Sequence, residues 1–160
     1  AKHCGARNIV ITDVKDERLH LAQELGATAA VNVSKMDLKP VMDRLGIENG
    51  FSVGLEMSGQ PSAFDQMVKA MRPGGRIALL GIQPADSSTD WTSILFKGLT
   101  IRGIFGREIF RTWYRMLRLV EAGLDVSEVI THQIPFSDFE RGFDLMRSGQ
   151  GTKIVFHWEP

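Results

Sequence analysis

The chain has 160 residues, with 19 basic and 19 acidic side chains and 43% hydrophobic residues, which suits one globular domain with a proper core and excludes a disordered chain. The balanced charge gives no support for a nucleic-acid or membrane-surface partner, and no apolar run approaches the ~20 residues that span a bilayer. The opening Ala1-Lys2-His3-Cys4-Gly5 has no secretory h-region, and a lone cysteine excludes an internal disulfide or a cysteine-based zinc cluster, so a reduced, cytosolic setting is the default.

In chain order, residues 1–6 read as a helix end stopped near Gly5. Ile9-Val10-Ile11 is a β-branched run, which predicts a buried strand over 8–12 that stops at Asp13. A helix over 15–25 follows at once. Asp16 and Glu17 suit its positive end, Leu19, Leu21, Ala22 and Leu25 share a face, and Gly26 stops it. Ala29 to Val33 reads as a second short strand. Residues 37–45 read as a helix capped by Asp37, with Pro40 in its first turn.

In 51–59, Val53, Leu55 and Met57 alternate on one face before Ser58-Gly59. Pro61 and Ser62 open a helix that carries Phe64, Met67, Val68 and Met71 at helical spacing. Pro73-Gly74-Gly75 reads as a sharp stop before the strand RIALLGI, 76–82. A polar loop with Asp86 and Asp90 leads to a short amphipathic piece around Ile94-Leu95-Phe96, then a strand over 99–106. A helix from Glu108 to Ala122 offers Phe110, Trp113, Tyr114, Leu117 and Val120 to the core.

Five strands alternating with helices predict βαβ crossovers and an α/β fold with a parallel sheet buried on both faces. The last forty residues break that rhythm. A strand over 130–134, a helix opening at Ser137-Asp138 and a strand over 153–158 read as a hairpin-like unit, either an antiparallel edge or part of another domain.

Few residues offer catalytic chemistry. His3, His20, His132 and His157 are scattered, with no HxxxH or HExxH spacing and no pairing with Cys4. There is no GxSxG elbow and no GxxxxGK loop. Gly74-Gly75 precedes a strand, the wrong side of a βα unit for cradling a pyrophosphate. What remains is a set of strand ends: Asp13, Met57-Ser58-Gly59, Leu80-Gly81-Ile82 and Ile104-Phe105-Gly106. Open parallel sheets bind ligands outside the carboxyl ends of their strands, and glycine there admits a planar cofactor close to the backbone. A carboxylate that ends a strand before a helix is where dinucleotide-binding units hold the adenosine ribose hydroxyls. Its charge repels a 2′-phosphate, so Asp13 argues for NAD over NADP. The competing readings of Asp13 are a turn or cap residue, or the ribose-binding acid of a class I methyltransferase that uses S-adenosylmethionine. A non-catalytic NAD-binding or assembly module is a third possibility.

The runs ITDVKDERLHLA, FSVGLEMSG, GGRIALLGI, DWTSILFKGL, IRGIFGRE, TWYRM and ITHQIPFSDFERGFDLMRSGQ together carry a resemblance over the whole chain. They resemble the L-threonine 3-dehydrogenases, a branch of the zinc-dependent medium-chain dehydrogenase/reductase family. RIALLGI alone is common across the wider family; LEMSG, DWT with FKGL, IFGRE and TWY in combination are more specific to the threonine branch. The resemblance implies that Asp13 is the ribose-binding acid and that Arg18 packs on the adenine side. It implies that Leu80, Gly81 and Ile82 line the nicotinamide half, that Ile104 and Phe105 make a second backbone contact there, and that Lys153 reaches the pyrophosphate. Arg18 also reads as a helix-surface charge and Lys153 as an exposed strand residue.

By the same resemblance, the catalytic zinc ligands, the proton-relay histidine and the structural-zinc cysteines belong to an N-terminal domain, and the glycine-rich turn lies upstream of Ala1. This chain is therefore expected to carry no catalytic residue and no metal ligand. The expected fold is an incomplete doubly wound (Rossmann) parallel sheet lacking its first strand and glycine turn. Residues 1–122 would form the NAD-binding domain, and 123–160 a segment returning to a GroES-like catalytic domain. The implied function is the cofactor-binding part of an enzyme that oxidises L-threonine to 2-amino-3-ketobutyrate with NAD. Zinc would be held elsewhere in that enzyme, and this chain alone would be inactive. A cytoplasmic homo-oligomer is implied, a tetramer by resemblance, with strand 99–106 near the interface.

Overall fold

The computed structural model describes residues 1–158, so the last two residues of the expected 123–160 segment lie outside the described residues. The chain divides into two compact units, Ala1–Asp37 with Tyr114–Pro160, and Leu38–Trp113. Among the described residues every strand pair is parallel.

In the first unit, a 3₁₀ turn at Lys2–Cys4 ends on Gly5. Strand β1 (Val10–Asp13) and strand β2 (Ala29–Asn32) pair in register from Val10 with Ala29 to Asp13 with Asn32. Helix α1 (Asp16–Glu24) makes the crossover and buries Leu19, while Ala29 and Val31 are buried from β2. Later in the chain this unit holds strand β6 (Ile130–Pro135), helix α6 (Phe139–Ser148) and strand β7 (Lys153–His157). Ile134 is buried there. Phe136 stacks on Trp158 at 3.8 Å between ring centroids, and Phe139, Phe143 and Phe156 extend the aromatic row.

The second unit opens with helix α2 (Lys39–Arg44). Strand β3 (Phe51–Glu56), helix α3 (Pro61–Ala70), strand β4 (Met71–Leu79), helix α4 (Trp91–Phe96) and strand β5 (Thr100–Gly103) follow. The sheet order is β3-β4-β5. Its core is Phe64 and Val68 from α3, Met71 and Ile77 from β4, and Ile94 from α4. The i, i+4 spacing of Phe64 and Val68 puts both on the face of α3 that meets the sheet. Helix α3 runs straight into β4, and its end is closed by the Lys97 ammonium, which donates to the carbonyls of Val68, Lys69 and Met71 at 2.8, 2.7 and 2.9 Å. A cation there meets the negative end of the helix.

Several expectations change. Strands β6 and β7 are parallel, not an antiparallel hairpin, because helix α6 carries the chain back to its starting edge as in any βαβ crossover. Pro73-Gly74-Gly75 does not precede the strand but sits inside β4, where the register jumps from Phe51–Met71 to Val53–Arg76. A bulge is one of the few places a strand tolerates proline. The strand then ends at Leu79, before Leu80-Gly81-Ile82.

Strand β3 is not buried on both faces. Val53, Leu55 and Met57 are exposed, and the buried positions are Gly54 and Glu56. Asp37 does not cap α2; Leu38 holds the cap position without a side-chain bond. Helix α5 (Arg111–Glu121) has no buried residue, and Phe110, Trp113, Tyr114, Leu117 and Val120 are exposed. Alternation and helical spacing say which side chains share a face; they do not say which face another element covers.

Candidate functional site

In the first unit the chemistry gathers where β1 ends. Asp13 Oδ1 accepts from the backbone N–H of Val14 at 2.7 Å and of Lys15 at 2.9 Å. This Asx turn closes the strand and launches α1. The other oxygen, Oδ2, lies 3.7 Å from Arg18 Nη1, with the two side chains 26% and 42% exposed respectively. A pair this open contributes little to stability and leaves Oδ2 accessible.

Behind Asp13 the backbone is held by Asn32, which is buried at the end of β2. Asn32 Nδ2 donates to the Val14 carbonyl at 3.2 Å and to Asp16 Oδ1 at 2.6 Å. Its Oδ1 accepts from the Ser34 N–H at 3.1 Å and the Ser34 hydroxyl at 2.5 Å. The Lys35 ammonium donates to Asp16 Oδ2. These bonds, Lys35 first and Asn32 second, hold the Asp16 carboxyl below the usual carboxylate range. The turn that presents Asp13 is thus pinned from β2.

Arg18 Nη2 and Lys15 Cε stand 3.6 and 3.8 Å from where a side chain on Gly149 would begin. Gly149 is the left-handed cap of α6, so two basic side chains meet that helix's negative end. Lys153 opens β7 with an exposed side chain, and its carbonyl accepts from the Thr131 hydroxyl at 3.3 Å.

In the second unit three parallel strands end together. The Leu80 and Gly81 N–H groups donate to the Glu56 carbonyl at 2.9 and 3.1 Å, and Ile104 N–H donates to the Leu79 carbonyl at 2.8 Å. The side chains of Leu80, Ile82, Ile104 and Phe105 are exposed there, Phe105 completely. Exposed apolar side chains at the carboxyl ends of parallel strands suit the flat face of a ring system.

The other charged group at these ends is buried. Glu56 is 2% exposed. Its Oε1 accepts from Ser58 N–H at 2.9 Å and from the Ser58 hydroxyl at 2.5 Å, and Gly59 N–H lies 3.2 Å from both carboxylate oxygens. Gly81 packs directly on this group: an added Cβ would stand 2.1 Å from Gly59 N and 2.3 Å from Glu56 Oε2. The missing side chain of Gly81 makes room for a neighbouring protein turn.

Sequence reading singled out Asp13 and the apolar strand ends but passed over Glu56, Asn32 and Lys97. A signal for Glu56 was present, an acid inside an apolar run just before Ser58-Gly59. Asn32 and Lys97 had none, because the partners they donate to lie 16 to 29 residues away. Among the described residues no three His, Cys, Asp or Glu side chains come together to hold a metal ion.

Parallel βαβ units, a strand-end carboxylate and an open apolar shelf are the parts of a Rossmann-type nucleotide-binding domain. The family model described as zinc-binding dehydrogenase matches residues 1–122, and the chain belongs to that family. It is 58% identical over 159 residues to L-threonine 3-dehydrogenase of Klebsiella pneumoniae strain 342, and 57% identical over the same length to the enzyme of that name from Escherichia fergusonii. Each match covers 99% of this chain and 47% of the relative, so the chain spans about half the length of the curated relatives it matches. Among solved structures, 2R,3R-butanediol dehydrogenase from Bacillus subtilis superposes with a TM-score of 0.86 at 26% identity, covering 99% of this chain and 46% of that one. Alcohol dehydrogenase TADH from Thermus sp. ATN1 gives the same TM-score and identity, covering 98% of this chain and 47% of that one.

Proposed function

We propose that this chain is the cofactor-binding part of an NAD-dependent L-threonine 3-dehydrogenase that converts L-threonine to 2-amino-3-ketobutyrate. Asp13 carries the reading: it ends β1 with one oxygen engaged by backbone N–H groups and the other accessible beside Arg18. Such a carboxylate accepts hydrogen bonds from the two ribose hydroxyls of NAD and repels the phosphate of NADP. The high identity to the threonine enzymes supports the substrate.

In this reading NAD, when bound, supplies the hydride acceptor at its nicotinamide ring. The chain's own residues bind and orient. Asp13 holds the ribose, Arg18 flanks the adenine side, and Lys153 neutralises pyrophosphate charge. The backbone of Leu80, Gly81 and Ile82, with that of Ile104 and Phe105, takes the nicotinamide half. Residues 1–122 serve as the NAD-binding domain, in keeping with the extent of the family match. Residues 123–160 serve as a segment of a catalytic domain. Strand β5 is the outer strand of its sheet, and residues 99–106 are the surface through which a homo-oligomer would form. The setting is cytoplasmic, consistent with an exposed, unpaired Cys4.

Fluorescence titration of the 160-residue chain with NADH and NADPH tests this reading. Saturable NADH binding at least about tenfold tighter than NADPH binding is expected, a difference of about 1.4 kcal/mol. No turnover of L-threonine by the chain alone, with or without zinc, is expected. Equal affinity for the two cofactors, or preferential binding of S-adenosylmethionine, would overturn it.

A further inference from the structure

We propose that Glu56 is the positioning residue for the nicotinamide end of the cofactor, acting through Gly59 and Gly81; this rests on the NAD reading above. A buried carboxylate is costly unless it is fully hydrogen-bonded, and a cation is its usual partner. Glu56 takes part in no ion pair among the described residues. Instead it gathers three donors from one turn: Ser58 N–H, Ser58 Oγ–H and Gly59 N–H. Its main-chain carbonyl accepts from Leu80 and Gly81. One residue thus grips both the turn after β3 and the strand end of β4.

The two turns interlock without slack. A Cβ on Gly59, whose φ is +70°, would stand 2.4 Å from the Ile82 carbonyl oxygen, and one on Gly81 would stand 2.1 Å from Gly59 N. A displacement of Ser58-Gly59 by about 0.5 Å, the tolerance of a working site, is therefore transmitted to Gly81 and Ile82. An apolar side chain of similar volume would fill the space with no desolvation penalty. The carboxylate instead draws the Ser58 hydroxyl and amide and the Gly59 amide onto Oε1, while Oε2 shares the Gly59 N–H, and so fixes the height of that backbone. Glu56→Gln replaces one oxygen by an amide that faces the Gly59 N–H, donor against donor.

The test compares wild type, Glu56→Gln and Ser58→Ala with two probes: NADH, by fluorescence titration, and ADP-ribose, which lacks nicotinamide, by calorimetry. Glu56→Gln is expected to weaken NADH binding about tenfold and Ser58→Ala about threefold, with ADP-ribose affinity unchanged within about twofold. A general loss of structure would weaken both probes in parallel, and that result overturns the proposal. So does unchanged NADH affinity in a folded variant. Should Glu56→Gln fail to fold, Ser58→Ala decides, because it keeps the carboxylate and removes one donor. Wild type that binds neither probe overturns the cofactor reading and this proposal with it. NADH binding indifferent to Glu56→Gln and to Ser58→Ala overturns the proposal alone.

Discussion

Two carboxylates end two strands in this molecule and have opposite fates. Asp13 is the last residue of β1, and Glu56 is the last residue of β3. Both accept backbone N–H groups from the turn that follows. Asp13 uses one oxygen for its turn and leaves the other beside Arg18 in a part-exposed pair. Glu56 uses both oxygens inward, and Gly81 packs over them. A carboxylate at a strand end therefore does one of two jobs, and burial decides which. In water a spare lone pair costs nothing, so Asp13 remains free to meet a ligand. In the interior each lone pair needs a donor, so Glu56 is committed to the fold.

The largest test of this contrast is truncation of each acid in turn. Glu56→Ala leaves the buried Gly59 N–H and the part-buried Ser58 donors without their acceptor and is expected to lower stability by about 1–3 kcal/mol. Asp13→Ala is expected to cost less than about 1 kcal/mol, because its donors are open to water. Urea midpoints of the two variants measure the difference, and equal losses would break the comparison. Next, Gly81→Ala drives a methyl into the Gly59 backbone, with an expected cost of about 1–3 kcal/mol in the same assay.

A smaller effect separates binding from stability. Asp13→Asn is expected to weaken NADH about tenfold and to narrow the gap between NADH and NADPH, with the thermal midpoint unchanged. A variant that loses stability but keeps its cofactor preference would reverse the roles assigned to the two acids. The smallest effect is acid sensitivity. Asp16 is held below the usual carboxylate range by Lys35 and then Asn32, and Asp90 by the Ser93 hydroxyl and then its N–H. A folded value depressed below the unfolded one gives stability that is present above about pH 4 and is lost as pH falls through the folded value. Asp16→Asn and Asp90→Asn should therefore each flatten the decline of the thermal midpoint below about pH 4.

Much of the architecture was legible because its signals are local. A β-branched run marked β1, the apolar run RIALLGI marked the end of β4, and Pro61 marked the start of α3. Asp13 was legible for the same reason: a carboxylate that ends an apolar run and precedes acidic helix-start residues is a short pattern. Glu56 was not, because the alternation of Val53, Leu55 and Met57 drew attention to the wrong side of β3. Those three are exposed, and the acid between them faces the interior. The direction of β7 was equally illegible, since two strands flanking a helix can pair either way until the crossover is built. Pro73-Gly74-Gly75 misled because the residues that end a strand also make a bulge within one.

By itself the sequence determined the alternation of elements, the parallel α/β class and the Asp13 end of the candidate site, since each depends on neighbours within a few residues. The tertiary structure decided what long-range contact alone can settle. It set Asn32 behind Asp13, Lys97 on the end of α3, and Glu56 under Gly81. The physical reason is that a polar group is satisfied only where its partners converge: those of Asn32 and Lys97 come from elements far apart in the chain, and Glu56, whose donors are two and three residues on, is covered by Gly81 from another strand end.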